Sequence, residues 1–300
     1  MNYAHLKIRP GLEWWCRYVY SRILVSPGIL GRAARLRVNK EYIVNLLVEE
    51  DRRIEKIALL RKNSSEAQLF GAGYGYADDA QELDTLQNYR DQLKRADFRT
   101  ARSESSACYE STQRTVQGLL RSDRRIRQVL NFGVSYAYVD SLLAIANPDV
   151  RFLGIDRSCL TRDFNQKEFA DIRNLEFVAG DIFDYLAQRR FAGGLFLTVR
   201  TLTLLPSSFI KKLYQSVSKA GFRYVVLVEP FGISRETHRS FEFSDDPDRR
   251  SVLFRGSMFL HNYPGLLMGS GFQVREAEFV KTLHPHEDFR LASLVASREG

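Results

Sequence analysis

Between the last two apolar runs of the chain, FQVREAEFV and RLASLVAS, stands only the short segment KTLHPHED. A connection that short leaves no room for a crossover helix, so these runs predict an antiparallel hairpin. Upstream, back to about Arg127, the pattern is different. Short apolar runs (QVLNF, VRFLGID, LEFVA, GGLFLTV and FRYVVLVEP) are separated by helix-like segments near 137–147, 161–171 and 207–219. Such alternation predicts a parallel sheet with crossover helices. A further helix is expected at 258–269, before the sixth run. Pro206 with Ser207 and Ser208 reads as a helix start, and Gly221 and Gly271 stand where C-terminal caps belong. The expectation is an α/β fold: a seven-stranded sheet whose last two strands form an antiparallel hairpin.

Residues 1–105 have helical periodicity and almost no strand signal. In NKEYIVNLLVEEDRRIEKIALLRK the apolar residues Ile43, Leu46, Leu47, Ile54, Ile57 and Leu60 are spaced as on a long amphipathic helix. A second helix is expected from about 78 to 93, with the Gly- and Ser-bearing NSSEAQLFGAGYGYADD between them. The chain therefore divides into a helical N-terminal region, 1–105, and an α/β domain, 106–300. The N-terminal region reads as a lid, a dimer contact or a surface-binding element. Within residues 11–37 two readings stand: packing of Trp14, Trp15 and Tyr18 in a core, which is favoured, or peripheral contact with a membrane surface.

With 44% apolar and 12% aromatic residues, the 300-residue chain can bury a sizeable core. No window has the length and apolarity of a membrane span, and the N-terminus lacks the pattern of a signal peptide, so a cytoplasmic protein is expected. Cys16, Cys108 and Cys159 are odd in number and far apart, which predicts free, mostly buried thiols rather than disulfides or a zinc site. The net charge of +8 favours acidic partners, although most of the arginines read as solvated helix faces.

The turn after the first strand is the candidate site. In VLNFGVSYA the one glycine, Gly133, either only turns a strand into a helix or lets the backbone approach a ligand, and Asp156, ending the second strand, could equally cap the helix that follows. Over about residues 125–298 the sequence resembles the class I S-adenosylmethionine-dependent methyltransferases, whose first strand ends in hh(D/E)xGxGxG. Asn131 stands at the acidic position without the charge that would attract the cofactor's amino group, Gly133 keeps the first glycine, and Ser135 and Ala137 replace the next two. The resemblance implies a Rossmann-like sheet and S-adenosyl-L-methionine as cofactor. It also implies methyl transfer to oxygen, less readily to nitrogen, on a small molecule or sugar of a biosynthetic pathway. Its cofactor residues would be Asn131, Gly133, Ser135, Asp156, Arg157, Asp181, Ile182 and Thr198. Of these, Asp156 would meet the ribose hydroxyls, Asp181 the adenine amino group and Ile182 the ring, while Thr198 to Arg200 would border the methionine moiety and the acceptor. HNYPGLLMGSGFQV is similar to a pattern before the sixth strand of bacterial O-methyltransferases.

Removal of an acceptor proton calls for a base. His261 is the candidate, against an equal case for a structural cap or core hydrogen bond, and Glu229, ending VVLVEP, is a second candidate for base or substrate contact. His284 and His286, followed by Glu287 and Asp288, lie in one short hairpin loop with no distant acidic partners, so no metal is expected. The segment FGISRETHRSFEFSDDPDRRSVLFRG carries Arg235, His238, Arg239, Arg249, Arg250 and Arg255, which suit an anionic glycan or nucleotide-linked acceptor; a solvated loop explains the same residues. A non-catalytic scaffold that keeps the fold and binds a partner is the rival reading. An RNA-directed enzyme rests on net charge alone, so nucleic acid is not expected as a partner, and a homodimer stays open.

Overall fold

The computed structural model describes residues 2–9, 11, 12, 14–16, 19, 79–94, 104–234, 239–254, 258–282 and 289–299. Two N-terminal helices, α1 (Asp79–Lys94) and α2 (Glu104–Ser122), precede the alternating part. There, β1 (Gln128–Phe132), α3 (Tyr138–Ala146), β2 (Arg151–Asp156), α4 (Cys159–Glu168), β3 (Leu175–Ala179), α5 (Ile182–Ala187) and β4 (Leu195–Val199) follow in turn. A single 3-10 turn (Leu202–Leu204), α6 (Ser207–Ala220) and β5 (Tyr224–Gly232) come next. A small hairpin of β6 (Val252–Phe254) and β7 (Met258–Leu260) leads into α7 (Tyr263–Met268), and β8 (Gln273–Phe279) and β9 (Phe289–Ser297) end the described chain.

The sheet has seven strands in the order β3-β2-β1-β4-β5-β9-β8. The first five are parallel, and β9 runs antiparallel to both β5 and β8, as the short 281–288 connection requires. Because side chains alternate along a strand, each strand feeds two cores. Leu130, Leu153, Ile155, Phe196 and Leu227 face α5, α6 and α7. Val129, Phe152, Leu195, Leu197 and Val226 face α2 and α3. Apolar residues on both faces are what a covered parallel sheet demands. Gly221 caps α6 in the left-handed region at φ 97, as its position after the last apolar residue suggests.

The helix expected at 258–269 is shorter: residues 258–260 form β7, and α7 begins only at Tyr263. α2, α5, β6 and β7 have no counterpart among the expected elements, and α2 runs across the expected 105/106 boundary. The thiol expectation is also corrected. All three cysteines are free, but Cys16 and Cys159 are exposed and only Cys108 is buried. The long amphipathic helix over 39–62, most of the 63–79 connection, and Tyr18 lie outside the described residues. Trp14 packs partly against the core, edge-to-face with Trp15 at 4.9 Å, while Trp15 remains 40% exposed. No described helix is long and apolar enough to cross a membrane.

The described part of the arginine-bearing segment after β5, residues 239–254, is packed on the core. Phe241 and Phe243 are buried around Phe231, and residues 2–9 are fastened to them. Tyr3 stacks edge-on against Phe243 and donates to Asp245 Oδ1 at 2.9 Å, and the Ile8 N–H donates to Ser240 Oγ at 3.0 Å. Asn262 ties the other side, donating to the Asp246 carbonyl at 2.6 Å and accepting from the Ser244 N–H at 2.9 Å. Gly265 is needed there because a Cβ would collide with the same carbonyl and with the Asn262 amide.

Candidate active site

Strand order reverses between β1 and β4, and such switch points open a crevice at the carboxyl ends of parallel strands. Among the described non-glycine residues, only Ser135 (φ 45) and Arg200 (φ 57) have positive φ, and they follow β1 and β4 on the two sides of that crevice. A left-handed conformation costs an L-residue on the order of 1–2 kcal/mol, so surrounding contacts must impose it.

After β1, those contacts are visible. Gly133 turns the chain at φ 72, its N–H donating to the Ile155 carbonyl at 2.9 Å, and Thr201 occupies the space a Cβ would need. Ser135 keeps the glycine-like conformation while its N–H donates to Asp156 Oδ2 at 3.2 Å. Asn165, fully buried on α4, clamps the same turn by donating to the Ser135 carbonyl at 2.6 Å and accepting from the Ala137 N–H at 3.1 Å. Ala137 itself has φ −76, which any residue adopts, so its replacement of a glycine costs no backbone strain. Tyr136, between them, packs with Leu86 and Leu93 of α1 and against Phe164 and Phe169, so α1 is seated on the turn.

Asp156 ends β2 and is half-buried. Its Oδ2 takes the Ser135 N–H, and its Oδ1 takes the Ser158 N–H at 3.2 Å. Burial raises its pKa above the ordinary value, and the backbone N–H groups pull it back. Glu82 of α1 stands close enough to add to the rise and accepts from Thr161 Oγ1 at 2.7 Å. Asp181 is exposed and caps α5, its Oδ1 accepting from the Phe183 and Asp184 N–H groups at 2.6 and 3.3 Å. Ile182 is buried in the core next to it, Arg157 is exposed just past Asp156, and Thr198 is fully buried on β4.

Asn131 is buried and donates through Nδ2 to Asp140 Oδ2 at 2.9 Å. Asp140, in the first turn of α3, has its pKa pushed up to about 6 by burial, against the opposing pull of the Asn131 amide and its own backbone N–H.

After β4, a second carboxylate shapes the backbone. Glu229 is fully buried, with Oε1 accepting from the Thr201 and Leu202 N–H groups, both at 3.0 Å, and Oε2 from Thr203 at 3.3 Å. These are the orphan donors of the 3-10 turn, which has no capping side chain of its own. Burial pushes the Glu229 carboxyl up to about 7, opposed by those N–H groups and by Thr198. Burial holds the pKa values of Tyr214 and Tyr263 well above the ordinary value, and the nearby Glu229 charge adds to the rise.

His261 follows β7, is 1% exposed, and shares a 2.7 Å hydrogen bond between Nδ1 and Ser251 Oγ. Phe259 and Tyr263 flank its ring. Arg239 and Arg250 are exposed on the neighbouring segment, and Arg249 lies over the Phe241 ring at 5.4 Å. Arg235, His238, Arg255, His284, His286, Glu287 and Asp288 fall outside the described residues. Among the described residues no three His, Cys, Asp or Glu side chains gather as a metal site.

The structure thus brings Asn131, Gly133, Ser135, Asp156, Asp181 and Thr198 to one edge of the sheet. Sequence reasoning missed Asn165, Asp140 and the docking of Glu82. Asp140 had a signal, as the only charged residue in the otherwise apolar YVDSLLAIA.

No protein-family model matches the chain, and no curated protein matches it by sequence. Similar solved structures include the magnesium protoporphyrin IX methyltransferase of Synechocystis with bound SAH, at 14% identity and TM-score 0.47, covering 82% of this chain and 100% of that one. Human N-acetylserotonin methyltransferase in complex with SAM matches at 14% identity and TM-score 0.47, over 81% of this chain and 62% of its own. A TehB-like SAM-dependent methyltransferase from Corynebacterium glutamicum matches at 15% identity and TM-score 0.47, over 74% and 100%. The fold assignment stands on strand order and register.

Two outcomes follow from this geometry. Asn165→Ala leaves the Ser135 carbonyl and the Ala137 N–H without their clamp, and urea denaturation should show a loss of about 2–3 kcal/mol. The loss should shrink in a Ser135→Gly background, where the left-handed turn carries no strain. Glu229 holds its proton up to about 7 against an ordinary 4.5. Between those values the folded state keeps a proton that the unfolded chain has released, so stability falls as pH rises through this window and levels off above it. Glu229→Gln should remove a share of that fall, on the order of 3 kcal/mol, in urea denaturation midpoints measured from pH 4.5 to 8.

Proposed function

We propose that this chain is an enzyme that transfers a methyl group from S-adenosylmethionine to a hydroxyl oxygen of a small molecule or sugar. The observation that carries the reading is Asp156. It is a carboxylate at the carboxyl end of β2, fixed by the Ser135 and Ser158 N–H groups at 3.2 Å each, beside the positive-φ turn at the strand switch point. A carboxylate has about four acceptor positions. One N–H on each oxygen therefore leaves capacity for a pair of vicinal hydroxyls, which is how the residues present fit a ribose.

Asp181 caps α5 through Oδ1, and its second oxygen would be free to accept from an adenine amino group beside Ile182. When bound, S-adenosylmethionine supplies a methyl group on a sulfonium centre, which is already activated toward displacement. The chain has then to align an acceptor hydroxyl and take its proton. His261 is the proposed base. Ser251 fixes the ring's orientation through Nδ1, and in the tautomer in which Nδ1–H donates to Ser251 Oγ, Nε2 would be the basic nitrogen. Glu229, its oxygens already committed to three backbone N–H groups, acts by holding the turn that borders the acceptor side. The exposed Arg239 and Arg250 suit an anionic acceptor.

One contact favours the rival reading of a non-catalytic scaffold: Thr201 fills the face of Gly133, where a ligand would otherwise approach. Calorimetric titration with S-adenosylhomocysteine separates the two. Under the proposed function the wild type binds at micromolar concentration and Asp156→Ala loses tenfold or more of that affinity; a wild type that binds neither cofactor nor product is a scaffold. In an assay of product release with hydroxylated sugars and small molecules as acceptors, His261→Ala should lower kcat by about 10²- to 10⁴-fold while leaving affinity for S-adenosylhomocysteine in place.

A further inference from the structure

The end of the sheet opposite the crevice carries a row of arginines. Arg173 stands two residues before β3, Arg151 begins β2, and Arg127 precedes β1. The Phe152 N–H donates to the Asn174 carbonyl at 2.8 Å and the Arg151 N–H to the Arg127 carbonyl at 2.9 Å, which sets the three side by side. Arg223 precedes β5, and Arg298, just past β9, donates its N–H to the Arg223 carbonyl at 3.0 Å. Arg275 on β8 reaches Ser297 Oγ of β9 through Nε at 2.9 Å. Six of the seven strands thus meet this end with an arginine, in the sheet order β3, β2, β1, β5, β9 and β8. β4, preceded by Gly193 and Gly194, is the exception. Strands lie about 4.8 Å apart, so the row is about 30 Å long.

Helix dipoles do not account for it. Their pull on cations is confined to the last helical turn, and those turns have cations of their own in Arg121, Lys167 and Lys219. Ion pairing accounts for part of the row. Arg223 shares the buried Asp123 with Arg125, Arg151 holds Glu176 at 2.6 Å, and Arg275 lies 4.0 Å from Glu299. Among the described residues no carboxylate pairs with Arg124, Arg127 or Arg173, all of them exposed. The carboxylates at this end, Asp123, Asp149, Asp171, Glu176, Glu276 and Glu299, are outnumbered by the row together with Arg121, Arg124, Arg125 and Lys219.

The apolar surface narrows the choice of partner. From residue 104 onward, the large apolar side chains left exposed among the described residues are Ile145 and Met268. They stand at the C-terminal ends of α3 and α7, which lead into β2 and β8 at this same end of the sheet. No aromatic ring among the described residues from 104 onward is exposed, so nucleic-acid bases would have nothing to stack on here. Arginines and aliphatic side chains on one broad surface match an anionic bilayer, where cations meet the headgroups and apolar groups enter the interface. We propose that the amino end of the sheet docks this protein on an anionic lipid surface, with the crevice facing away from the bilayer. The docking is independent of the proposed function, since the row lies at the other end of the strands.

Flotation of the full chain with lipid vesicles tests this. Wild type should float with vesicles of phosphatidylcholine and phosphatidylserine, stay behind with phosphatidylcholine alone, and be released as salt is raised. Arg127→Gln with Arg173→Gln should weaken binding about 10- to 30-fold and leave the urea midpoint in place. Arg157→Gln with Arg200→Gln removes the same charge from exposed residues at the crevice end, and should leave vesicle binding as in wild type. An equal loss in the two double variants means that net charge alone attracts the vesicles, and overturns the proposal. So does binding that the Arg127 and Arg173 changes leave intact, or an absence of binding to phosphatidylserine. A labelled single-stranded RNA oligonucleotide separates the other polyanion. RNA binding that is lost with Arg127 and Arg173, in a protein that vesicles do not retain, assigns the row to nucleic acid and overturns the proposal too.

Discussion

Side-chain carboxylates that accept backbone N–H groups hold the carboxyl edge of this sheet in shape. A parallel strand that ends in a loop leaves donors unpaired, and burying them unpaired is costly. Asp156 answers this for the turns after β1 and β2, Asp181 for the start of α5, and Glu229 for the 3-10 turn after β4. The anchors are placed by strand register, since Phe132 pairs with Ile155 and with Thr198, and Val199 with Val228. Loops from four strands are thereby drawn to one level.

The altered glycine turn shows how a local rule can be replaced by a tertiary contact. Of the three positions where the resembling family has glycine, only 133 and 135 have positive φ here. Gly133 is kept where Thr201 presses on it. Ser135 is tolerated because Asn165 and Asp156 hold the peptides around it. Ala137 needs nothing. The replacement of the second glycine is thus accommodated by one buried amide from a helix that follows the next strand, together with Asp156.

Strands and their direction were legible because they are encoded locally, in apolar runs such as QVLNF and VRFLGID and in a connection too short to cross over. The edge positions of Asp156 and Asp181 follow from where those runs stop. The three-residue strands β6 and β7 were not legible, since VLF and MFL carry no period of their own and their pairing depends on a neighbouring segment. Residues 258–260 read as helix for the same reason. Asn165 sits among polar neighbours in TRDFNQKEF, and its only hint is the four-residue spacing from Thr161, which is also buried. Glu229 looked like a reactive group at a strand end because sequence shows its place but not its hydrogen bonds. Its three backbone partners lie 26 to 28 residues away.

Strand β9 is the last to be made of those described, yet it lies inside the sheet, hydrogen-bonded to β5 along nine residue pairs and to β8 on its other side. Until it is synthesised, β5 presents an unpaired apolar edge on a nascent chain already able to form its first five strands. Exposed edges of that kind invite pairing with other chains. Such non-local pairing also forms slowly. Chains stalled before residue 289 lack the strand that covers the β5 edge, and among the described elements only β9 pairs with it on that side.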